Sequence, residues 1–273
     1  MPKKSLGQHF LKNKSAIQKI IASLELKSGE TIVEIGPGEG ALTIPLIEEC
    51  RKSGCNFFAV EKDVTLADQL RHKGILEVMA GDALKEIPKV AKNIKNYKVV
   101  GNIPYYITGK LLRILSELNP PAGGKPTLAV LTIQKEVAER ICAHPPETRP
   151  IHRPCRMCGM NLLAAATQFW AEPKILMNLK STDFDPVPDV DSAIIALKTR
   201  TMTNDQLQIT KKYYDLIKIA FKQPRKTLLN NLSEGFGKNK AEITKILAQI
   251  GLKPGIRPQD LDVPTLIKLS EVL

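Results

Sequence analysis

Two short stretches of the chain carry residue types at spacings that suit chemistry. The first is Gly36-x-Gly38-x-Gly40. Glycine removes the Cβ atoms that would keep a ligand off the backbone, and a helix that starts just after such a turn presents free N–H groups. A plain strand-to-helix turn would use the same residues, so this stretch is informative only in company. The second is Asn102-Ile103-Pro104-Tyr105. The Asn102 side-chain oxygen and the Pro104 carbonyl are acceptors for the two N–H groups of an exocyclic amine, and the Tyr105 ring is a face on which a base can stack. The amino lone pair of adenine is delocalised into its ring and is a poor nucleophile. Accepting both hydrogens favours a more tetrahedral nitrogen, with its lone pair turned towards an electrophile held in line. No strong general base is required, because the positive charge arriving on nitrogen acidifies it. The competing reading is a proline turn with core tyrosines.

Two acids extend the first stretch. Glu61 lies 21 residues beyond Gly40, at the end of the next strand, where a carboxylate accepts ribose hydroxyls. Asp82, in Gly81-Asp82-Ala83, follows the third strand and suits an adenine amino group. The glycine pattern is not the G-x-G-x-x-G of dinucleotide sites, and Glu39 places an acid where a pyrophosphate would lie. An adenosyl ligand without phosphates, S-adenosyl-L-methionine, is expected rather than NAD.

The elements that position these residues follow from periodicity. Apolar residues recur at helical spacing over Ser15–Leu26, and Thr31–Ile35 is a short β-branched strand running into the glycines, with helical character from Ala41 to Cys50. The alternation continues with a strand Asn56–Val60, a helix from Asp63, strands Ile75–Met79 and Tyr97–Val100, a helix Gly109–Leu118 and a strand Thr127–Ile133. This predicts an α/β fold with a Rossmann-like, mostly parallel sheet covered on both faces. Lys174–Leu179 and Ser192–Lys198 have no helical pattern between them, and an antiparallel pair at one sheet edge is expected. After a polar stretch, helical segments are expected at Lys211–Phe221, Arg225–Leu232, Lys240–Ile250 and Pro264–Val272. These predict two domains, 1–203 as the sheet domain and 204–273 as a smaller helical one.

Composition narrows the partners. Forty basic against 28 acidic side chains give a net charge of +12, a field that attracts polyanions, nucleic acid first among them. No apolar run approaches the roughly 18 residues of a membrane span. Five scattered cysteines fit reduced thiols, and the N-terminal residues lack the layout of a secretory signal, so a cytoplasmic, monomeric protein is expected.

With these residues in view, the sequence resembles the small-subunit ribosomal RNA adenine-N6 dimethyltransferases, the KsgA family, over nearly its whole length. The resemblance rests on Ser5-Leu6-Gly7-Gln8-His9-Phe10-Leu11, Glu34-Ile35-Gly36-Pro37-Gly38, Val60-Glu61-Lys62-Asp63, Gly81-Asp82-Ala83 and Asn102-Ile103-Pro104-Tyr105. It implies that His9, Leu11, Gly36, Glu61, Asp82 and Asn102 bind S-adenosyl-L-methionine, with the N-terminal arm as a lid. Phe184-Asp185-Pro186-Val187-Pro188-Asp189-Val190-Asp191-Ser192 is similar to the family's F-x-P-x-P-x-V-D-S motif, whose aromatic faces the target base; Phe184 and Tyr105 are then expected to sandwich one adenine. The competing reading makes Phe184 a core residue. The stretch Phe221 to Leu232 resembles a basic family segment, implying RNA contacts from Arg225 and Lys226, with Pro224 standing where arginine is usual and compatible with a helix beginning there. The resemblance implies dimethylation of adjacent adenosines in a hairpin of 16S ribosomal RNA, within an immature small subunit, as part of ribosome biogenesis. A large-subunit RNA methyltransferase of the macrolide-resistance type and a non-catalytic assembly or transcription factor of the same fold are the alternatives.

One segment departs from the family pattern. Ala143 to Gly159 is longer and carries His152-x-x-Cys155-x-x-Cys158 with His144 nearby. These are weak candidates for zinc, since the spacing does not match a paired C-x-x-C site; a basic, RNA-facing loop through Arg149, Arg153 and Arg156 is the preferred reading, and no metal is expected. If about six phosphates are contacted, log affinity for RNA falls against log salt with a slope of about −4 to −5. Filter-binding between low and physiological salt measures this, and a flat response contradicts a basic RNA-binding face.

Overall fold

The computed structural model describes residues 7–75, 77–118, 124–145 and 159–273. The chain divides into two compact units, Met1–Ala138 with Glu172–Thr199, and Glu139–Ala171 with Arg200–Leu273.

The first unit opens with a two-residue strand β1 (Phe10–Leu11) and helix α1 (Lys14–Ser23), started by the Asn13 side chain accepting from the Ala16 amide. The alternation follows as β2 (Thr31–Ile35), α2 (Thr43–Ser53), β3 (Asn56–Glu61), α3 (Val64–His72), β4 (Val78–Ala80), α4 (Ala83–Asn93), β5 (Tyr97–Asn102), α5 (Thr108–Glu117), β6 (Leu128–Gln134) and α6 (Lys135–Ile141). Helix α7 (Leu162–Trp170) precedes β7 (Ala171–Leu179), the short β8 (Phe184–Asp185) and β9 (Ser192–Thr199).

Seven strands form one sheet in the order β4-β3-β2-β5-β6-β9-β7. The pairs β4/β3, β3/β2, β2/β5 and β5/β6 are parallel, and β9 runs antiparallel to β6. The mixed sheet is as expected: β7 and β9 are hydrogen-bonded neighbours at one edge, and β9 also ladders antiparallel with β6. All five residues of β2 are buried, as a central strand covered on both faces requires. On one face Ile32, Val100, Val130 and Ile194 pack with Ala16, Ile17 and Ile20 of α1 and Leu46 of α2.

Helix α4 was not visible in the sequence pattern. Pro88 inside it breaks the helical reading, yet Ala83, Ile87 and Ala91 bury one face and Asp82 caps its start. The third predicted strand is also shorter and later, Val78–Ala80 instead of Ile75–Met79, because the chain turns through Gly74 before pairing.

The second unit contains α7, α8 (Asn204–Ala220), α9 (Leu228–Phe236), α10 (Lys240–Gln249) and α11 (Val263–Val272). A single cut near residue 203 is therefore corrected: Glu139–Ala171 belongs with the C-terminal helices. The cause is aromatic packing. Phe169 of α7 stacks on Tyr213 of α8 at 4.1 Å between centroids, and the Tyr213 hydroxyl donates to the Ala165 carbonyl at 3.0 Å. Leu216, Leu232, Leu247 and Leu266 complete this core.

A buried ion pair locks the lower edge of the sheet. Lys98 on β5 donates to Glu30 at 2.6 Å and to the carbonyls of Leu24 and Glu25 at 2.7 and 2.9 Å. Both side chains are under a tenth exposed. Lys98→Met leaves a buried carboxylate and two carbonyls without their donor, and unfolding in urea is expected to show a loss of about 3–5 kcal/mol.

Candidate active site

In the sheet, the strand order reverses between β2 and β5, the place where open α/β sheets bind ligands beyond the carboxyl ends of their strands. Ile35 stands opposite Val60 on one side and Gly101 on the other. Gly36, Glu61 and Asn102, each one residue further, therefore come to the same rung. A cleft there is lined by Gly7 to Phe10, Gly36, Gly38, Glu61, Lys62, Asp82, Asn102 to Ile107 and Phe184. Its space of about 800 Å³, open mouth included, is the size of a small-molecule site.

The glycine turn is built for close approach. Gly36, Gly38 and Gly40 all have positive φ, 66°, 59° and 93°. A Cβ on Gly36 would point into the cleft, 3.9 Å from the Asn102 carbonyl, and would fill the cradle. A Cβ on Gly38 would stand 2.8 Å from the Phe10 ring, so that glycine also makes room for the N-terminal arm.

Glu61 is buried, with one carboxylate oxygen accepting from the Gly38 amide at 2.9 Å and the other from the Asp63 amide at 2.8 Å. Burial pushes its pKa up, opposed by these two hydrogen bonds. Each oxygen keeps a lone pair for a ribose hydroxyl. Asp82 has two tasks in this structure: one oxygen caps α4 through the Leu84 amide, and the other meets the Lys62 ammonium at 3.4 Å.

The Asn102-Ile103-Pro104-Tyr105 stretch leaves β5 and enters a 3-10 turn over Tyr105–Ile107. Asn102 Nδ2 donates to the His9 carbonyl at 2.6 Å, which commits the nitrogen end of the amide and leaves Oδ1 as the acceptor. The Pro104 carbonyl already accepts from the Ile107 amide at 3.1 Å, so one of its two lone pairs is available. The Tyr105 hydroxyl bonds the Ser192 hydroxyl at 2.9 Å, and the His9 ring lies near-parallel to Tyr105 at 6.1 Å. Ser192, the last residue of the F-x-P-x-P-x-V-D-S stretch, thus anchors a ring more than eighty positions earlier in the chain, a partnership that no spacing in the chain reveals.

The arm is held over the cleft. β1 pairs antiparallel with β8, Phe10 opposite Asp185 and Leu11 opposite Phe184, and His9 Nδ1 lies 2.7 Å from the Pro186 carbonyl. Strand alternation sends the Phe10 side chain to the cleft and the Leu11 side chain into the core. Phe184 is 1% exposed, packs with Leu11 in that core and forms part of the cleft wall. The residues that sequence reasoning passed over are Phe10, Lys62 and Tyr106, each embedded in a motif and lining the cleft.

Away from this unit's site, the basic segment also differs from expectation. Pro224 does not begin a helix: α8 stops at Ala220, and α9 starts at Leu228 behind the Thr227 cap. Asn231 on α9 clamps the intervening turn by donating to the carbonyls of Ala220 and Gln223 at 2.9 and 3.0 Å. Arg225 is exposed on that turn, while Lys226 and Lys222 share Glu234 as counter-ion at 3.2 and 3.8 Å. His152, Cys155 and Cys158, with Arg149, Arg153 and Arg156, lie outside the described residues; among the described residues no cluster of three or more metal-ligating side chains is present. No helix among them is long and apolar enough to cross a membrane.

The topology and this cleft define an S-adenosyl-L-methionine-dependent methyltransferase of the Rossmann-like class. The model of the ribosomal RNA adenine dimethylase family matches residues 2–256. The chain is 36% identical to the ribosomal RNA small subunit methyltransferase A of Streptococcus agalactiae, over 99% of this chain and 91% of that one. It is 32% identical to the protein of the same name from Mycoplasma capricolum, over 99% and 97%. Among solved structures, a dimethyladenosine transferase from Plasmodium falciparum shares the fold at a TM-score of 0.74, with 23% identity over 96% of both chains. The 23S rRNA methyltransferase ErmE does so at 0.69, with 23% identity over 97% and 99%. The chain belongs to the ribosomal RNA adenine dimethylase family, and it is an enzyme that methylates ribosomal RNA adenine with S-adenosyl-L-methionine.

Beneath the cleft, Glu34 is fully buried and its pKa is pushed up to about 8 by desolvation, reinforced by Glu61 and partly offset by Thr43. The folded protein therefore holds a proton that the unfolded chain releases above about pH 4.5. Stability falls as pH rises from that value through about 8. Glu34→Gln is expected to remove this part of the fall, read as a smaller difference between urea midpoints at pH 5 and pH 8.5 than in the parent.

Proposed function

We propose that this enzyme dimethylates N6 of adjacent adenosines in a hairpin of 16S ribosomal RNA, within an immature small ribosomal subunit. The observation that carries the reaction is the hydrogen bond from Asn102 Nδ2 to the His9 carbonyl, which presents Oδ1 on the same rung as the Gly36 cradle and the Glu61 carboxylate. Bound S-adenosyl-L-methionine supplies an electrophilic sulfonium methyl.

Glu61 holds the ribose hydroxyls, Gly36 admits the ligand against the backbone, and Asp82 accepts from the adenine of the cofactor once Lys62 gives way. His9 and Phe10 cover the ligand from the arm. Asn102 Oδ1 and the free lone pair of the Pro104 carbonyl take the two amino hydrogens of the target, and Tyr105, fixed by Ser192, stacks the flipped base. The proton released after transfer leaves from a cationic nitrogen, which is acidic enough to give it to solvent.

The small-subunit target is supported by relatives of that name aligning over nearly the full chain, through the C-terminal helices. The exposed turn with Lys222, Arg225 and Lys226, clamped by Asn231, suits phosphate contacts. The free thiols Cys50 and Cys55 suit the reducing cytoplasm.

Asn102→Ala is expected to lower methyl incorporation into unmethylated small subunits by about 100-fold or more, as loss of an acceptor used in the transition state does, while subunit binding stays within about twofold. Mass spectrometry of the digested RNA identifies the product as N6,N6-dimethyladenosine. Undiminished turnover by the variant, or product only on large-subunit RNA, contradicts the reading.

A further inference from the structure

The tetrapeptide is followed by a second tyrosine to which the reaction assigns no task. Tyr106 is 53% exposed, whereas His9, Phe10 and Tyr105 on the same cleft are only partly exposed and Phe184 is buried. The arm passes alongside the Tyr106 ring, where a Cβ on Gly7 would stand 3.5 Å from the ring edge. The Lys62 ammonium lies 6.0 Å from the ring centroid and 3.4 Å from Asp82. An exposed aromatic bordered by backbone on one side and by a half-exposed cation on the other is arranged like the stacking platforms of single-stranded nucleic-acid sites.

Tyr105 and Tyr106 are consecutive in a 3-10 turn, which rotates successive side chains by about a third of a turn. The two rings therefore cannot serve one base. Tyr105 is tied to Ser192 at the target position, and Tyr106 is left facing the approach to it. Lys62 stands in the same relation to Glu61, one residue outward from a cofactor-holding group. Its ion pair with Asp82 is 48% and 30% exposed and is exchanged for a phosphate at little cost.

We propose that Tyr106 and Lys62 form a second nucleotide subsite, in which the ring stacks the base adjacent to the target adenine and the ammonium pairs with the adjoining phosphodiester. This rests on the ribosomal RNA reading above and deepens it, since such a subsite requires the target to be presented as a short unpaired run and not as one flipped base.

The test uses the full-length enzyme and small subunits reconstituted with RNA that carries an abasic ribose on the 5′ or the 3′ side of the target adenine, or neither. With intact RNA, Tyr106→Ala is expected to lose about tenfold in kcat/KM, the scale of one base stacked on an aromatic ring. Tyr106→Phe retains parental values, and affinity for S-adenosyl-L-methionine by calorimetry is unchanged in both. With one of the two abasic substrates the parent loses the same factor and Tyr106→Ala loses nothing further. Lys62→Met is expected to reduce the salt dependence of KM by about one phosphate contact. Equal losses on all three substrates, no loss on intact RNA, or weakened cofactor binding in Tyr106→Ala overturns the subsite while leaving the methyltransferase reading intact. Absence of methyl transfer by the parent enzyme overturns both.

Discussion

The site depends on how closely β2 and β5 approach one another. A Cβ on Gly101 would collide with the Ile35 carbonyl, so glycine at that position is what lets the two parallel strands run past each other in register. Because Ile35 and Gly101 are partners, the next residue on each strand, Gly36 and Asn102, emerges at the point where the strand order reverses. The proposed cradle for the methyl donor and the proposed clamp for its acceptor are thus set by one backbone contact. Everything else in the cleft is arranged around that rung: Glu61 from the neighbouring strand, the arm from above, and the Tyr105 turn from the outgoing chain.

A second constraint is the short ladder between β1 and β8. It joins the beginning of the described chain to a segment some 175 residues later, a connection of only two residues on each strand. Strand alternation divides the work of those residues. Phe10 takes the cleft, and Leu11 and Phe184 bury themselves in the core shared with α1. The aromatic of the F-x-P-x-P-x-V-D-S stretch therefore stabilises the arm's position, and Ser192 at the far end of the same stretch stabilises Tyr105. One loop secures both covers of the site.

Much of this was legible in the sequence, for identifiable reasons. β2, β3 and β5 are short and bounded by glycine or charge, so Gly36, Glu61 and Asn102 were legible as residues at or just beyond strand ends, although β3 runs one residue past Val60 and β5 two past Val100. Helix α4 was hidden because Pro88 contradicts local propensity and only the buried face of Ala83, Ile87 and Ala91 overrides it. The grouping of α7 with the C-terminal helices was hidden because it rests on a long-range stack, Phe169 on Tyr213. The start of α9 was misplaced because proline at a helix start is a permissive signal, whereas the Thr227 cap is a directive one. The burial of the Leu11 and Phe184 side chains was not legible because a motif records which residues recur, not which way each one points.

The bond from Asn102 to the His9 carbonyl fixes the orientation of a side chain that shape alone leaves undecided. An asparagine amide is nearly symmetrical in shape, and turned end for end it would offer N–H groups where the reaction needs oxygen. Nothing in its volume prevents that inversion. A single hydrogen bond of about 1 kcal/mol biases such a two-way choice roughly fivefold, and here the bias comes from the backbone of His9 on the arm. The arm therefore does more than border the cleft: through one carbonyl it selects which end of the Asn102 amide is turned outward.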